Sequence, residues 1–197
     1  METSLLPITV IVAITIFLVK EGLELWRKHQ AHQRQTLAIK HMIADEIEKN
    51  NSVLSTLIST LVKIKDEHEN FKISLLTTPS GSLRIGFKEL TGQNETSWPI
   101  PNVSRAVFNK TFVQIASLNS ELFKEAKNAY ESVSEIEHIR DSLIDHIEDN
   151  AWQPDGFMVS FTEYGLEELI DAYLNLSRLY KTCTGNDLDK KKLRTFA

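Results

Sequence analysis

Residues Leu5 to Val19 carry no ionisable side chain and are bracketed by Glu2 and Lys20. Few folds tolerate such a run, because a helix that is apolar on every side must be buried on every side. Alone the run covers about 22 Å as a helix, short of a hydrocarbon core about 30 Å thick. Continued through Leu25 to Trp26 it reaches about 33 Å, with Lys20 snorkelling toward headgroups. A cleaved leader should begin with basic residues and close on small ones, whereas this chain starts Met1-Glu2-Thr3-Ser4 and runs into Lys20-Glu21-Gly22. The expectation is a single transmembrane helix within residues 1–26, with Lys20, Trp26, Arg27 and Lys28 at the membrane interface.

Basic residues then set the orientation. Lys20, Arg27, Lys28, Arg34 and Lys40 all follow the run, and positive charge is retained on the cytoplasmic side. A single-pass protein of a bacterial inner membrane, amino terminus out and body in the cytoplasm, is expected. Cys183 is the sole cysteine, so no internal disulfide can form, in keeping with a reducing compartment. With 42% hydrophobic and 25% charged residues, the chain has the composition of a folded rather than a disordered protein. A net charge of -5 argues against broad nucleic-acid binding through phosphate neutralisation.

No strong breaker follows Gly22, so one long helix is predicted to continue to about Phe71. Residues 27–42 form a polar juxtamembrane stalk. From Ile43 the spacing changes: Ile43, Ile47, Asn50, Leu54, Leu57, Leu61, Ile64, His68 and Phe71 recur at alternating intervals of four and three. Such a seam faces another helix, in the same chain or in a second copy. Asn50 either fixes the register of that contact or turns to its rim. Alternation at Ile73 and Leu75, then at Leu83, Ile85 and Phe87, flanks Thr77-Thr78-Pro79-Ser80-Gly81-Ser82 and predicts a β-hairpin at about 72–88. Thr91 to Asn102 reads as a loop anchored by Trp98 and Ile100.

Three further helices are predicted. One spans about Ser104 to Ser117. The next starts at Asn119 or Ser120, with Leu118 and Phe123 as a staple, and ends near Asp149. The last covers about Thr162 to Lys181, preceded by a short extended piece at Phe157 to Phe161 and stopped by Gly185. The fold class is mainly α: a transmembrane helix continuous with an up-down bundle over residues 43–183, one inserted hairpin, and a polar basic tail at 184–197.

There is no phosphate-binding glycine loop, no Cys or His cluster at zinc spacing and no nucleophile elbow, so neither metal nor cofactor is expected. One pair does suggest chemistry. In Arg140-Asp141-Ser142-Leu143-Ile144-Asp145-His146 an Arg precedes a His by a short interval on a late helix. A His can move a proton and a cation can stabilise a phosphorane. The pair resembles the Arg-x(4 to 6)-His motif of HEPN-type ribonucleases, compact helical domains that cleave RNA across a dimer interface; five residues intervene here, where the family's usual form has four. The resemblance implies Arg140 and His146 as catalytic candidates. One span plus a helical bundle is also similar in layout to small membrane accessory proteins of RNA-targeting CRISPR systems, which assemble into membrane rings.

Thr9 and Ala13 give a small-xxx-small step for close helix approach. With Asn50, Leu54, Leu57, Leu61 and Ile64 they make up the expected helix-association surface. The expected function is non-enzymatic: a membrane-anchored bundle that mediates oligomerisation or partner recruitment. Its expected partners are the lipid bilayer and further copies or another membrane or cytosolic protein, not nucleic acid. The alternatives are a membrane-tethered HEPN-like ribonuclease and an oligomeric membrane-disrupting effector of a bacterial defence system.

Overall fold

In the computed structural model, which describes residues 7–91, 95–149 and 156–189, one helix organises the rest. Helix α1 runs from Ile8 to Glu67 without interruption, about 90 Å at the helical rise. Pro7 precedes it and accepts the first turn's hydrogen bond from the Val10 amide at 2.8 Å, a place where proline's missing N–H costs nothing. A 3₁₀ turn, His68–Asn70, closes α1 and leads into strand β1, Phe71–Thr77. His68 lies in that turn rather than on a helical seam, and Phe71 begins the strand.

Strands β1, β2 (Leu83–Glu89) and β3 (Glu95–Pro99) form an antiparallel meander in that order. Ile73 pairs with Phe87, and Ile85 with Trp98. The predicted hairpin is therefore the first two strands of a three-stranded sheet, and the segment read as a loop contains the third. β3 escapes periodicity analysis because Glu95, Thr96 and Ser97 are polar and Pro99 closes it, a residue tolerated only where no ladder donor is required. Gly81 takes the left-handed conformation, φ 81°, in the β1–β2 turn.

Helices α2 (Ala106–Leu118), α3 (Ser120–Asp149) and α4 (Gly156–Thr184) complete the fold. Asn119 caps α3: its Oδ1 accepts the Leu122 amide at 2.8 Å, and Leu118 and Phe123 pack on the core on either side of it. Gly185, φ 77°, ends α4, its amide donating to the Lys181 carbonyl at 2.8 Å. The extended piece expected at Phe157 to Phe161 is helix. Met158, Thr162, Leu169, Ala172, Leu176, Leu179 and Cys183 are buried at helical intervals, and that phase overrides the strand propensity of Val159 and its aromatic neighbours.

Helix α4 lies antiparallel to α1. Lys65 pairs with Glu163 at 3.1 Å near one end, and Lys40 donates to the Thr182 carbonyl at 3.0 Å near the other. It is antiparallel to α3 as well, with Asn175 donating to the Ser132 hydroxyl at 2.9 Å. At the crossing of the three helices sits Gly165. A Cβ there would stand 2.9 Å from Leu61 Cδ1 and 3.3 Å from Ile139 Cγ2, so the absence of a side chain lets the helices approach without displacing the end of Leu61. Beyond α4 the chain turns back along α1: Leu188 is buried, and Asn51 Nδ2 donates to the Asp189 carbonyl at 3.0 Å. The basic cluster Lys190 to Arg194 lies outside the described residues, as do Leu5, Leu6 and Trp152.

The transmembrane reading does not survive. Among the described residues no helix is long and apolar enough to cross a membrane. Ile8 to Val19 gives about 18 Å of apolar helix, and extension to Leu25 brings in Lys20, Glu21 and Glu24. Lys20 can snorkel on its long stem. Two carboxylates in the same turn have short stems and a large desolvation cost in hydrocarbon. The single-pass topology, the outward amino terminus and the inner-membrane localisation fall with the span. The roles of Lys20, Trp26, Arg27 and Lys28 as interface anchors rested on it too. All four are exposed positions of α1, and Lys28 pairs with Glu24 at 2.8 Å.

Candidate functional site

The first eighteen or so residues of α1 present the most unusual surface of the chain. Ile39 is the first core residue of α1, so the helix before it projects as an arm. Ile8 is 79% exposed, Ile16 63%, Leu18 62%, Leu25 65% and Trp26 59%. Ile11, Phe17 and Val19 are exposed as well, as are Thr9 and Ala13. Folded monomers seldom display a contiguous apolar patch above a few hundred Å², and a larger one marks an interaction surface. The arm carries on the phase of the buried seam: Ile8, Ile11, Thr15, Leu18, Gly22, Leu25, His29, His32, Thr36, Ile39, Ile43, Glu46 and Asn50 alternate in spacing between three and four.

Where that seam enters the bundle it becomes polar. Glu46 is 1% exposed and Asn50 1% exposed, and both reach across to the start of α2. The Glu46 carboxylate accepts from the Ser104 hydroxyl at 2.7 Å, the Val107 amide at 2.9 Å and the Phe108 amide at 3.0 Å. The Tyr130 hydroxyl on α3 donates a fourth, short hydrogen bond to it. Burial works to raise the pKa of Glu46, and the bonds from Tyr130, Val107, Ser104 and Phe108 together outweigh it, leaving the carboxyl below its ordinary value. Burial, then the bond to Glu46 and its charge, push the Tyr130 phenol far above the usual range. The site is thus a buried anion that caps α2 from another helix, where the free amides and the dipole of the helix favour negative charge. The Tyr130 ring stacks on Phe108, centroids 3.9 Å apart.

Asn50 completes the junction. Its Nδ2 donates to the Ser104 carbonyl at 2.8 Å and its Oδ1 accepts the Ser104 amide at 2.7 Å. The register question is answered inside one chain: Asn50 points inward and fixes the entry into α2. Leu54, Leu57, Leu61 and Ile64 are likewise buried in this chain's own core. They are unavailable to a second copy in this arrangement, whereas Thr9 and Ala13 remain open.

A cavity of about 210 Å³ opens beside the junction, lined by Arg105, Phe108, Phe112, Lys127, Tyr130 and Ser134 among others. Arg105 pairs with Glu137 at 2.9 Å. The buried thiol of Cys183 is pushed up to about 11 by its burial, against the smaller opposing effect of Lys40, and is no nucleophile at neutral pH.

Arg140 and His146 both lie on α3. Six residues along an α-helix amount to a rotation of roughly 120° between them, so the two side chains leave the helix in different directions. The Arg140 Nε donates to the Pro101 carbonyl at 3.2 Å, and its guanidinium pairs with Asp141. That contact ties the loop before α2 to α3. No group of three or more His, Cys, Asp or Glu among the described residues is placed to hold a metal ion.

Apolar spacing alone hides Glu46, because Ile47 offers an apolar member for the seam one position on. The signal was present: stepping from Ile39 by four, three and four lands on Ile43, Glu46 and Asn50, two polar residues in the buried phase.

No family model matches this chain, and neither a curated protein nor a solved structure matches it.

Proposed function

We propose that the protein is a non-enzymatic assembly module, in which a helical bundle holds out an apolar arm and copies of the chain associate through their arms. One observation carries this reading: the apolar residues of 8–26 are exposed on all sides of α1. Their exposed surface is on the order of 1,000 Å² per copy, comparable to the roughly 800 Å² that each partner brings to a stable interface.

Three features favour a second copy as the occupant. The spacing of three and four from Ile8 to Leu25 is self-complementary. Thr9, Ala13 and Gly22 allow helix backbones to approach. Lys20, Glu21, Glu24, Arg27 and Lys28 mix both signs, so identical arms lying side by side are only weakly repelled. Two arms would leave Val10 and Phe17, which lie away from that stripe, facing water, so the assembly is larger than a dimer.

Sedimentation equilibrium of the full chain tests this. Concentration-dependent species beyond the dimer are expected, and Ile11→Glu with Leu18→Glu should yield monomers with an unchanged thermal midpoint, since neither residue touches the bundle. A wild-type chain that stays monomeric at hundreds of micromolar would overturn the proposal. So would one that floats with lipid vesicles while remaining monomeric.

A further inference from the structure

At the opposite end of α1 the Lys63 side chain, only 18% exposed, is surrounded by aromatic rings. Its ammonium lies 4.6 Å from the centre of the Phe71 ring, 5.3 Å from that of Phe87 and 5.6 Å from that of Trp98. Each ring comes from a different strand, β1, β2 and β3. The rings brace one another, with centroid separations of 6.2 Å for Phe71–Phe87 and 5.7 Å for Phe87–Trp98. Glu67 Oε2 stands 2.9 Å from the same nitrogen. Three ring faces and a carboxylate around one cation are the chemistry that recognises methylated ammonium groups.

Lysine is a poor occupant of such a box. A primary ammonium is strongly hydrated and carries three N–H donors, for which ring faces are weak acceptors. A quaternary ammonium loses little hydration on entering and leaves no donor unmet. Lys63 holds the position by being tethered, which for a short flexible link corresponds to an effective concentration of roughly millimolar. Alongside runs an open groove of about 400 Å³ bounded by Ile58, Val62, Asp66, Glu67 and Trp98. Among the described residues its only lining cation is Lys63 itself; Asp66 and Glu67 give the rim a negative potential once that ammonium leaves.

We propose that this box is a binding site for a quaternary or N-methylated ammonium group, and that Lys63 is its displaceable plug. The ligand enters along the groove past Val62, its cation takes the place of the Lys63 ammonium beside Glu67, and the lysine swings out on its four-carbon stem.

Replacing Trp26 and Trp152 by Phe leaves Trp98 as the sole indole, and its fluorescence can be followed during titration with tetramethylammonium chloride at constant ionic strength. Saturation in the tens of millimolar is expected with Lys63 present, and about tenfold lower once Lys63→Ala removes the tethered competitor; ammonium chloride should give neither. Lys63→Met retains the stem and serves if the Ala variant, checked by its thermal midpoint, loosens the sheet. Choline and the amide of trimethyllysine, titrated in parallel, distinguish a free small ligand from a modified side chain. The absence of a saturable response to tetramethylammonium in the Lys63 protein and in every folded variant overturns the proposal. An identical midpoint with and without the lysine overturns the plug.

Discussion

The Tyr130 hydroxyl donates to the carboxylate of Glu46, a residue 84 positions earlier in the chain, and so α1 and α3 are joined through one buried oxygen that also caps α2. Four donors converge on this carboxylate, and none comes from a basic side chain. A carboxylate satisfied by neutral donors at a helix start avoids the poor return of a buried ion pair, whose desolvation usually offsets its attraction.

Glu46→Gln should therefore destabilise the fold by about 2 kcal/mol, because the new amide turns two N–H donors toward groups that are themselves donors. The loss is read as a shift of the urea midpoint with an unchanged slope. Tyr130→Phe removes one of the four donors and preserves the Phe108 stack; about 1 kcal/mol is expected. A double variant that costs no more than Glu46→Gln alone would show that the tyrosine acts through the carboxylate.

The same carboxyl makes stability depend on acidity. Its folded pKa lies below the ordinary value of 4.5, so its contribution is fully present above about pH 4.5 and is lost as the pH falls through the lower, folded value. Thermal midpoints measured from pH 7 down to pH 3 should show the wild-type advantage over Glu46→Gln shrinking only below about pH 4.5. An advantage constant to pH 3 would mean that the four donors do not favour the ionised form.

Gly165→Leu addresses the crossing of α1, α3 and α4. A Cβ already approaches Leu61 and Ile139, and the further atoms of leucine must push helices apart, which should cost about 3 kcal/mol. Gly165→Ala is much milder, since Leu61 Cδ1 is the mobile end of a side chain and the gain in helix propensity offsets part of the crowding. Midpoints in the order Gly, Ala, Leu are expected in denaturant.

Cys183 reports on the closure of α4 against α1. Its side chain is 7% exposed and its thiol is pushed up to about 11, so iodoacetamide at pH 8 should leave it unmodified in the native protein and alkylate it in urea, as read by intact mass. Truncation after Gly185 removes Leu188, whose carbonyl accepts the Tyr173 hydroxyl at 3.2 Å, and should speed that alkylation by opening the end of the α1–α4 contact.

The elements with a long period were legible in the chain itself. Residues Ile43 to Ile64 recur at the helical interval over six turns, the cap at Asn119 and the stop at Gly185 are local chemistry, and each lies where spacing and residue type placed it. Short or polar pieces were not legible. The five residues of β3 take their strand character from pairing with β2, and Phe157 to Phe161 take their helical character from the helices that bury Met158 and Thr162.

What the linear order of residues determined is that a helix of some sixty residues must exist, with an apolar first third and a seam further on, because helix phase is a property of neighbours three and four positions apart. What tertiary structure alone decided is what those faces meet. Asn50 closes on Ser104 and Lys63 on three rings from three strands, and no spacing rule reaches across such separations. The apolar run at the start of α1 shows the difference plainly: its composition suggests lipid, but Glu21 and Glu24 in the turns that would have to complete the span leave the apolar helix too short, and its residues stand exposed on all sides of the arm.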